Sequence, residues 1–108
     1  MNTIDFTYKG QEYRLGFSRQ SVKALEAQGF VIENIGKMPA SMIPTFFYGA
    51  FGLNHRKIKR KLVDEIWDAI GNKDELIMAL AELYAETIED LMSDGDEAGE
   101  TITWERSE

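Results

Sequence analysis

The sequence predicts an α+β fold that is mainly helical, with an N-terminal β-hairpin packed with about four helices and an acidic, flexible C-terminal tail. Apolar and polar residues alternate across residues 3–17, as in a half-buried pair of strands. Apolar residues then follow helical spacing in four ranges: 18–28, 42–54, 59–70 and 73–92. The last fifteen residues, 94–108, hold six acids against one arginine. We therefore expect one globular domain, 1–93, and a disordered tail, 94–108.

The hairpin prediction includes its register. If Lys9 and Gly10 form a two-residue turn, all the apolar side chains share one face, with the pairs Ile4–Leu15, Phe6–Tyr13 and Tyr8–Gln11. Ser18 is a natural N-cap for the helix that follows, and Gly29 can end that helix in a left-handed conformation. Because an isolated hairpin is marginal in water, we expect this first helix to cover its apolar face.

The longest helical pattern runs from Asn72 to Met92, and we expect the rest of the chain to pack along it. Asn72 and Glu75 have the spacing of a capping box. The preceding helix, 59–70, ends at Gly71, and so short a connection predicts that the two helices pack antiparallel.

The helix over 42–54 is apolar nearly all round. It is expected to begin near Ser41 or Met42, with Pro44 in the first turn, where its missing amide does no harm. Gly49 and Gly52 lie on a face of small side chains that would let a neighbouring element approach closely. Two interpretations stay open: a helix buried at the centre of its own domain, or one whose Phe47, Tyr48 and Phe51 lie partly outside the core and bind a partner.

Composition excludes several classes of function. The chain has 108 residues, no cysteine and one histidine, His55, so disulfides, thiolate zinc sites and cysteine nucleophiles are excluded. No spacing of carboxylates or hydroxyl groups marks a catalytic, metal or phosphate site, and we expect no enzyme and no cofactor. No signal peptide or membrane-spanning run is visible, so we expect a soluble, intracellular protein.

Charge is unevenly distributed. The net charge is −7, yet five of the twelve basic residues fall within 56–61. This basic segment could contact phosphates, an acidic partner or the chain's own acidic tail, or it could be a solvated loop and helix start. A general nucleic-acid binder would carry an excess of basic residues, so the net charge argues against nucleic acid as the partner.

The order of these segments resembles the small tail assembly chaperones of long-tailed bacteriophages and their prophages, particularly those of Gram-positive hosts. The resemblance is carried by 6–15 (FTYKGQEYRL), 18–26 (SRQSVKALE) closed by Gly29-Phe30, Gly49-Ala50-Phe51, His55-Arg56, 72–76 (NKDEL) and the acidic tail. It covers most of the chain.

The resemblance implies a protein that binds the long, helical tape-measure protein in the cytoplasm of the bacterial host and is absent from the mature virion. Many such genes also yield a longer product by ribosomal frameshifting, so this extended form is a further expected partner. Self-association into a homo-oligomer stays open, and no membrane partner is expected.

The residues expected to bind the partner come from residue chemistry alone. Phe47, Tyr48 and Phe51 are predicted to supply apolar contact, and Arg56, Lys57 and Arg60 to supply electrostatic steering. Two other functions remain as alternatives: a small nucleic-acid-binding regulator that uses 56–61, and a structural subunit of the phage tail or its connector.

Overall fold

The computed structural model describes residues 3–92 and 102–106. Its regular elements are β1 (Ile4–Tyr8), β2 (Gln11–Leu15), α1 (Arg19–Ala27), α2 (Pro39–Phe51), α3 (Arg60–Ala69) and α4 (Lys73–Met92), with a short 3-10 helix at Ile32–Asn34. The predicted class, a hairpin followed by four helices, is confirmed. The predicted disorder of the tail falls mainly on residues outside the described ranges; the described part, 102–106, is neither helix nor strand and is exposed.

The hairpin has the predicted register. β1 and β2 pair antiparallel, with Ile4 opposite Leu15, Phe6 opposite Tyr13 and Tyr8 opposite Gln11. Lys9 and Gly10 both have positive φ, 49° and 79°. Two successive positive φ values are typical of the two-residue turn whose twist matches that of the strands.

The first helix has the predicted caps but a different neighbour. The Ser21 amide donates to the Ser18 side chain, and the Ser18 amide donates to Ser21 Oγ. Gly29 has φ of 88°. The hairpin, however, is covered by α2 and not by α1, because Phe51 of α2 packs edge-on against Phe6 and Tyr13. α1 packs against α2 and α4 instead.

α2 begins and ends about one turn earlier than predicted. Pro39 occupies the first turn, where its fixed φ favours a helix start, and Pro44 lies inside the helix. At the other end, Gly52 follows the last helical residue and the chain turns through 52–59 before α3. The boundary was wrong because either proline could have opened the helix, and only the first one does.

α2, and not α4, is the element on which the rest of the chain packs. It contacts β2, α1, α3, α4 and the short 3-10 helix. α3 packs chiefly on α2, so α4 is not its main neighbour, as the predicted packing along α4 would require. The predicted capping box at Asn72 is also wrong, because Asn72 has φ of 54° and its side chain makes no capping bond within the described part of the chain.

A cluster of aromatic rings joins α2 to α4. Phe46 stacks on Phe17 and on Phe30 with ring centroids 5.3 and 5.0 Å apart. Tyr84 of α4 meets Phe17, Phe30 and Phe46 edge-on at 5.5 to 5.7 Å. All four rings are buried, and edge-to-face pairs of this kind add about 0.5–1.5 kcal/mol each beyond their buried area.

Gly49 is required by the packing of α1 on α2, which gives a first testable prediction. A Cβ at this position would lie 2.6 to 2.9 Å from the side chain of Leu25, which is itself buried. Overpacking of a core costs about 1–3 kcal/mol, and the gain in helix propensity on replacing glycine is at most ~1 kcal/mol. We expect Gly49→Ala to lower the free energy of unfolding by about 1 kcal/mol or more in urea titrations.

The matched control for this prediction is Gly71→Ala. No atom lies within 4 Å of a Cβ at Gly71, and its φ is not positive. A change within about 0.5 kcal/mol is therefore expected. Equal stability of Gly49→Ala and Gly71→Ala would contradict the close approach of Leu25.

Tyr84 gives a second prediction, on pH dependence. Burial raises the pKa of Tyr84, and the carboxylates of Glu26 and Glu33 raise it further. The folded state therefore favours the neutral phenol, so its contribution to stability is complete below the unfolded pKa of about 10 and is lost as the pH rises through the folded pKa. We expect Tyr84→Phe to lose less stability than the wild type between pH 7 and about pH 11. Parallel losses in the two proteins would contradict this linkage.

Candidate partner-binding surface

Two of the predicted contact residues lie in the core. Phe47 and Phe51 are 1% and 0% exposed. Phe47 contacts Trp67 of α3 with ring centroids 5.1 Å apart, and Phe51 packs against the hairpin. The prediction that these two side chains bind a partner is therefore wrong for this conformation, since the domain's own elements already cover them. The alternative, a helix buried at the centre of its domain, is the one observed.

Tyr48 differs from its two neighbours on α2. Its side chain is half-buried, and the Arg60 guanidinium lies 5.0 Å from the centre of its ring. Arg60 also approaches Asp64 one turn along α3, with 3.6 Å between Nε and Oδ1. The cation over the ring fixes Tyr48 against the start of α3, and leaves one side of the ring beside a shallow depression of about 280 Å³ next to Arg56.

The basic segment 56–61 is exposed at all five of its charged positions. Arg60 and Lys61 lie in the first turn of α3, which contains no acid. A helix N-terminus carries a partial positive charge, so cations are disfavoured there by about 0.3–1 kcal/mol each. In the described residues neither Arg56 nor Lys57 forms an ion pair. The positive charges of Arg56 and Lys57 are therefore available to an anionic partner.

An open groove of about 710 Å³ lies between this segment and β2. We call it the basic groove, and its lining mixes apolar and polar side chains. The apolar ones are Tyr13, Leu53, Ile58 and Leu62, and the polar or charged ones are Gln11, Asn54, His55, Arg56 and Lys57. Leu53, Ile58 and Leu62 are only partly buried. The structure thus brings Arg56 and Lys57 together at the groove. Tyr48 lines the depression that Arg56 also lines, and Arg60 lies over the Tyr48 ring.

His55 and Asn54 attach this groove to the hairpin, a role that sequence reasoning missed. The Arg14 amide donates to His55 Nε2 at 3.0 Å, and Asn54 Nδ2 donates to the Arg14 carbonyl at 3.3 Å. The His55 ring also lies 5.3 Å from that of Tyr13. Together these bonds occupy the outer backbone groups of β2 at Arg14, which an edge strand would otherwise leave unpaired. They hold the loop after α2 in place.

Among residues 3–92 and 102–106, no group of three or more His, Cys, Asp or Glu side chains is placed to hold a metal ion. Within those ranges, no helix is both long and apolar enough to cross a membrane. The described surface offers charge and apolar contact at the basic groove.

The fold and the groove define the chain as a small α+β domain in which a hairpin and three helices surround a central apolar helix. It belongs to the family described as "Domain of unknown function (DUF5055)", whose model matches residues 1–107. No curated protein and no solved structure matches the chain.

His55 gives a third prediction. His55→Phe keeps an aromatic ring near Tyr13 but removes the acceptor for the Arg14 amide, and a hydrogen bond of this kind contributes about 0.5–1.5 kcal/mol. We expect hydrogen exchange at the Arg14 amide, followed by NMR, to become about fivefold faster, as 1 kcal/mol implies. The amide of Gly16, which donates to the Ala50 carbonyl, serves as the internal control. Unchanged exchange at Arg14 would contradict the role of His55.

Proposed function

We propose that this protein is a bacteriophage tail assembly chaperone that binds the tape-measure protein and keeps it soluble until the tail assembles. The identity of the partner rests on the resemblance of the sequence segments described above. The observation that supports a binding role is the basic groove, where half-buried apolar side chains lie beside Arg56 and Lys57. Binding of this kind is non-covalent and needs no catalytic residue or cofactor.

The side chains of the basic groove are of the kinds that bind an amphipathic helix. A tape-measure protein is long and largely helical, and its apolar face needs cover before the tube forms around it. An amphipathic helix docks by placing apolar anchors in a groove, here against Leu53, Ile58 and Leu62. Arg56, Lys57 and Arg60 would attract acids on the flanks of that helix and speed the encounter, an effect that weakens with salt. Tyr48 extends the apolar contact.

Net charge supports the same role. With a net charge of −7, bound copies would give an aggregation-prone client a surface of like charge that resists further association. In this proposal the protein acts in the cytoplasm of the bacterial host and leaves before the virion is complete. The frameshift-extended product would share the groove and add its own contacts.

The fourth prediction tests this function by co-expression with the tape-measure protein of the same phage. We expect the wild type to raise the soluble fraction of the client and to co-purify with it. Arg56→Glu with Lys57→Glu should reduce co-purification at least tenfold at low salt, because attraction becomes repulsion. Lys23→Glu with Lys37→Glu makes the same change in net charge at two exposed lysines away from the basic groove and should bind normally.

Two results of the co-expression test would contradict the proposed function or the role of the groove. A client that stays insoluble with the wild type and with the frameshift-extended form would contradict the chaperone function. Equal loss in both double variants would mean that net charge, and not the groove, governs binding. Phe47→Ala is unsuitable as a binding variant, since loss of a core phenylalanine costs about 3–5 kcal/mol of stability.

A nucleic-acid-binding regulator remains a second candidate, favoured by the exposure of all five basic residues in 56–61. Phosphate contacts would make the logarithm of the binding constant fall linearly with that of the salt concentration, with a slope of about −0.9 per contact. Titration of labelled duplex DNA at several salt concentrations measures that slope. Absence of binding at low salt would dismiss this candidate.

A further inference from the structure

We propose that the C-terminal segment Ile102–Arg106 of one copy of this chain docks in the basic groove of a second copy. Such a contact is head-to-tail, because each copy offers one segment and one groove. It concerns the chain alone and does not rest on the proposed function.

The segment has the composition of a docking element. Ile102 and Trp104 are 86% and 81% exposed, more than any other large apolar side chain of the described residues. Glu105 follows the tryptophan, and the surrounding stretch, 94–108, has a net charge of −5. Tryptophan is among the residue types that most often dominate binding energy at interfaces, where it fills a desolvated pocket. In the described single chain nothing covers it.

The groove is complementary in charge and offers apolar contact. Its side chains Leu53, Ile58 and Leu62 are only partly buried, and its open volume of about 710 Å³ has room for a large side chain. Arg56 and Lys57 stand at its edge, where they would meet Glu105. The basic segment 56–61 adds five positive charges to match the five net negative charges of 94–108. Opposite charges at this density favour correct pairing between copies that otherwise repel.

The second copy is the occupant that the structure favours. Within one chain the segment is exposed while the groove is open, so both halves of the contact are present and unused. A donor and an acceptor at different places on one surface give a heterologous contact, which continues from copy to copy until a ring closes or a filament grows. Association should therefore increase with concentration and pass beyond the dimer.

Sedimentation velocity over a range of concentrations tests the proposal. We expect the average mass of the wild type to rise with concentration. Trp104→Ser should weaken association at least tenfold, and so should Arg56→Glu with Lys57→Glu. Lys23→Glu with Lys37→Glu, matched in charge, should associate as the wild type does. Trp104 belongs to the segment, Arg56 and Lys57 line the groove, and Lys23 and Lys37 lie outside both. All five side chains are exposed, so we expect circular dichroism to show that each variant is folded.

Mixing the two deficient proteins gives the sharper result. Trp104→Ser retains an intact groove, and Arg56→Glu with Lys57→Glu retains an intact segment. We expect the mixture to form a heterodimer held by one contact, and to stop there because the remaining groove and segment are both defective.

An otherwise wild-type chain with Trp67→Phe leaves Trp104 as the only tryptophan, whose fluorescence should shift to shorter wavelength as concentration rises.

Three outcomes would overturn the proposal. The first is a wild type that stays monomeric at every concentration, and the second is a Trp104→Ser protein that associates as strongly as the wild type. The third is a fluorescence shift independent of concentration together with no heterodimer on mixing, which would place the segment in the groove of its own chain. None of these measurements contains the tape-measure protein, so their failure is distinct from failure of the chaperone function.

Discussion

Burial of the three phenylalanines of α2 is the constraint on which the rest of the structure depends. Its three phenylalanines point to three different neighbours. Phe46 joins the aromatic cluster with α4, Phe47 contacts Trp67 of α3, and Phe51 covers the hairpin. Each ring removes a large apolar area from water, about 1.5–3 kcal/mol for a full side chain. The hairpin and three helices, none of which could bury its own apolar face alone, are held together by this one helix.

This constraint also determines where a partner can bind. Because Phe46, Phe47 and Phe51 of α2 are buried in the core, the exposed charged side chains lie instead in the loop that follows the helix. Asn54 and His55 bond both backbone groups of Arg14, and this attachment places Arg56 and Lys57 at the edge of the groove. A mutation at Phe47 or Phe51 would therefore alter binding through the fold, whereas a mutation at Arg56 or Lys57 would act on the surface alone.

Local patterns predicted much of the fold, and long-range contacts explain what they missed. The hairpin register and the bounds of α4 follow from spacing within each element, so the sequence was sufficient for them. The burial of Phe47 and Phe51 was not predictable, since a helix that is apolar all round has no periodicity to say which side faces a partner. The bond from Arg14 to His55 joins residues 41 positions apart, and no local signal marks it.

The placement of the basic segment at the start of α3 links the two proposals. Arg60 and Lys61 add positive charge where the helix dipole is already positive, and among the described residues the first turn holds no acid. Only Arg60 is approached by an acid, Asp64 one turn along. An acidic segment beside the groove would relieve this repulsion, whether it came from a second copy or from a client. Both occupants would need the same apolar side chains, Leu53, Ile58 and Leu62, so they would exclude one another. A copy that holds the client could not hold a second copy's C-terminal segment, and client binding would therefore shift the equilibrium away from self-association.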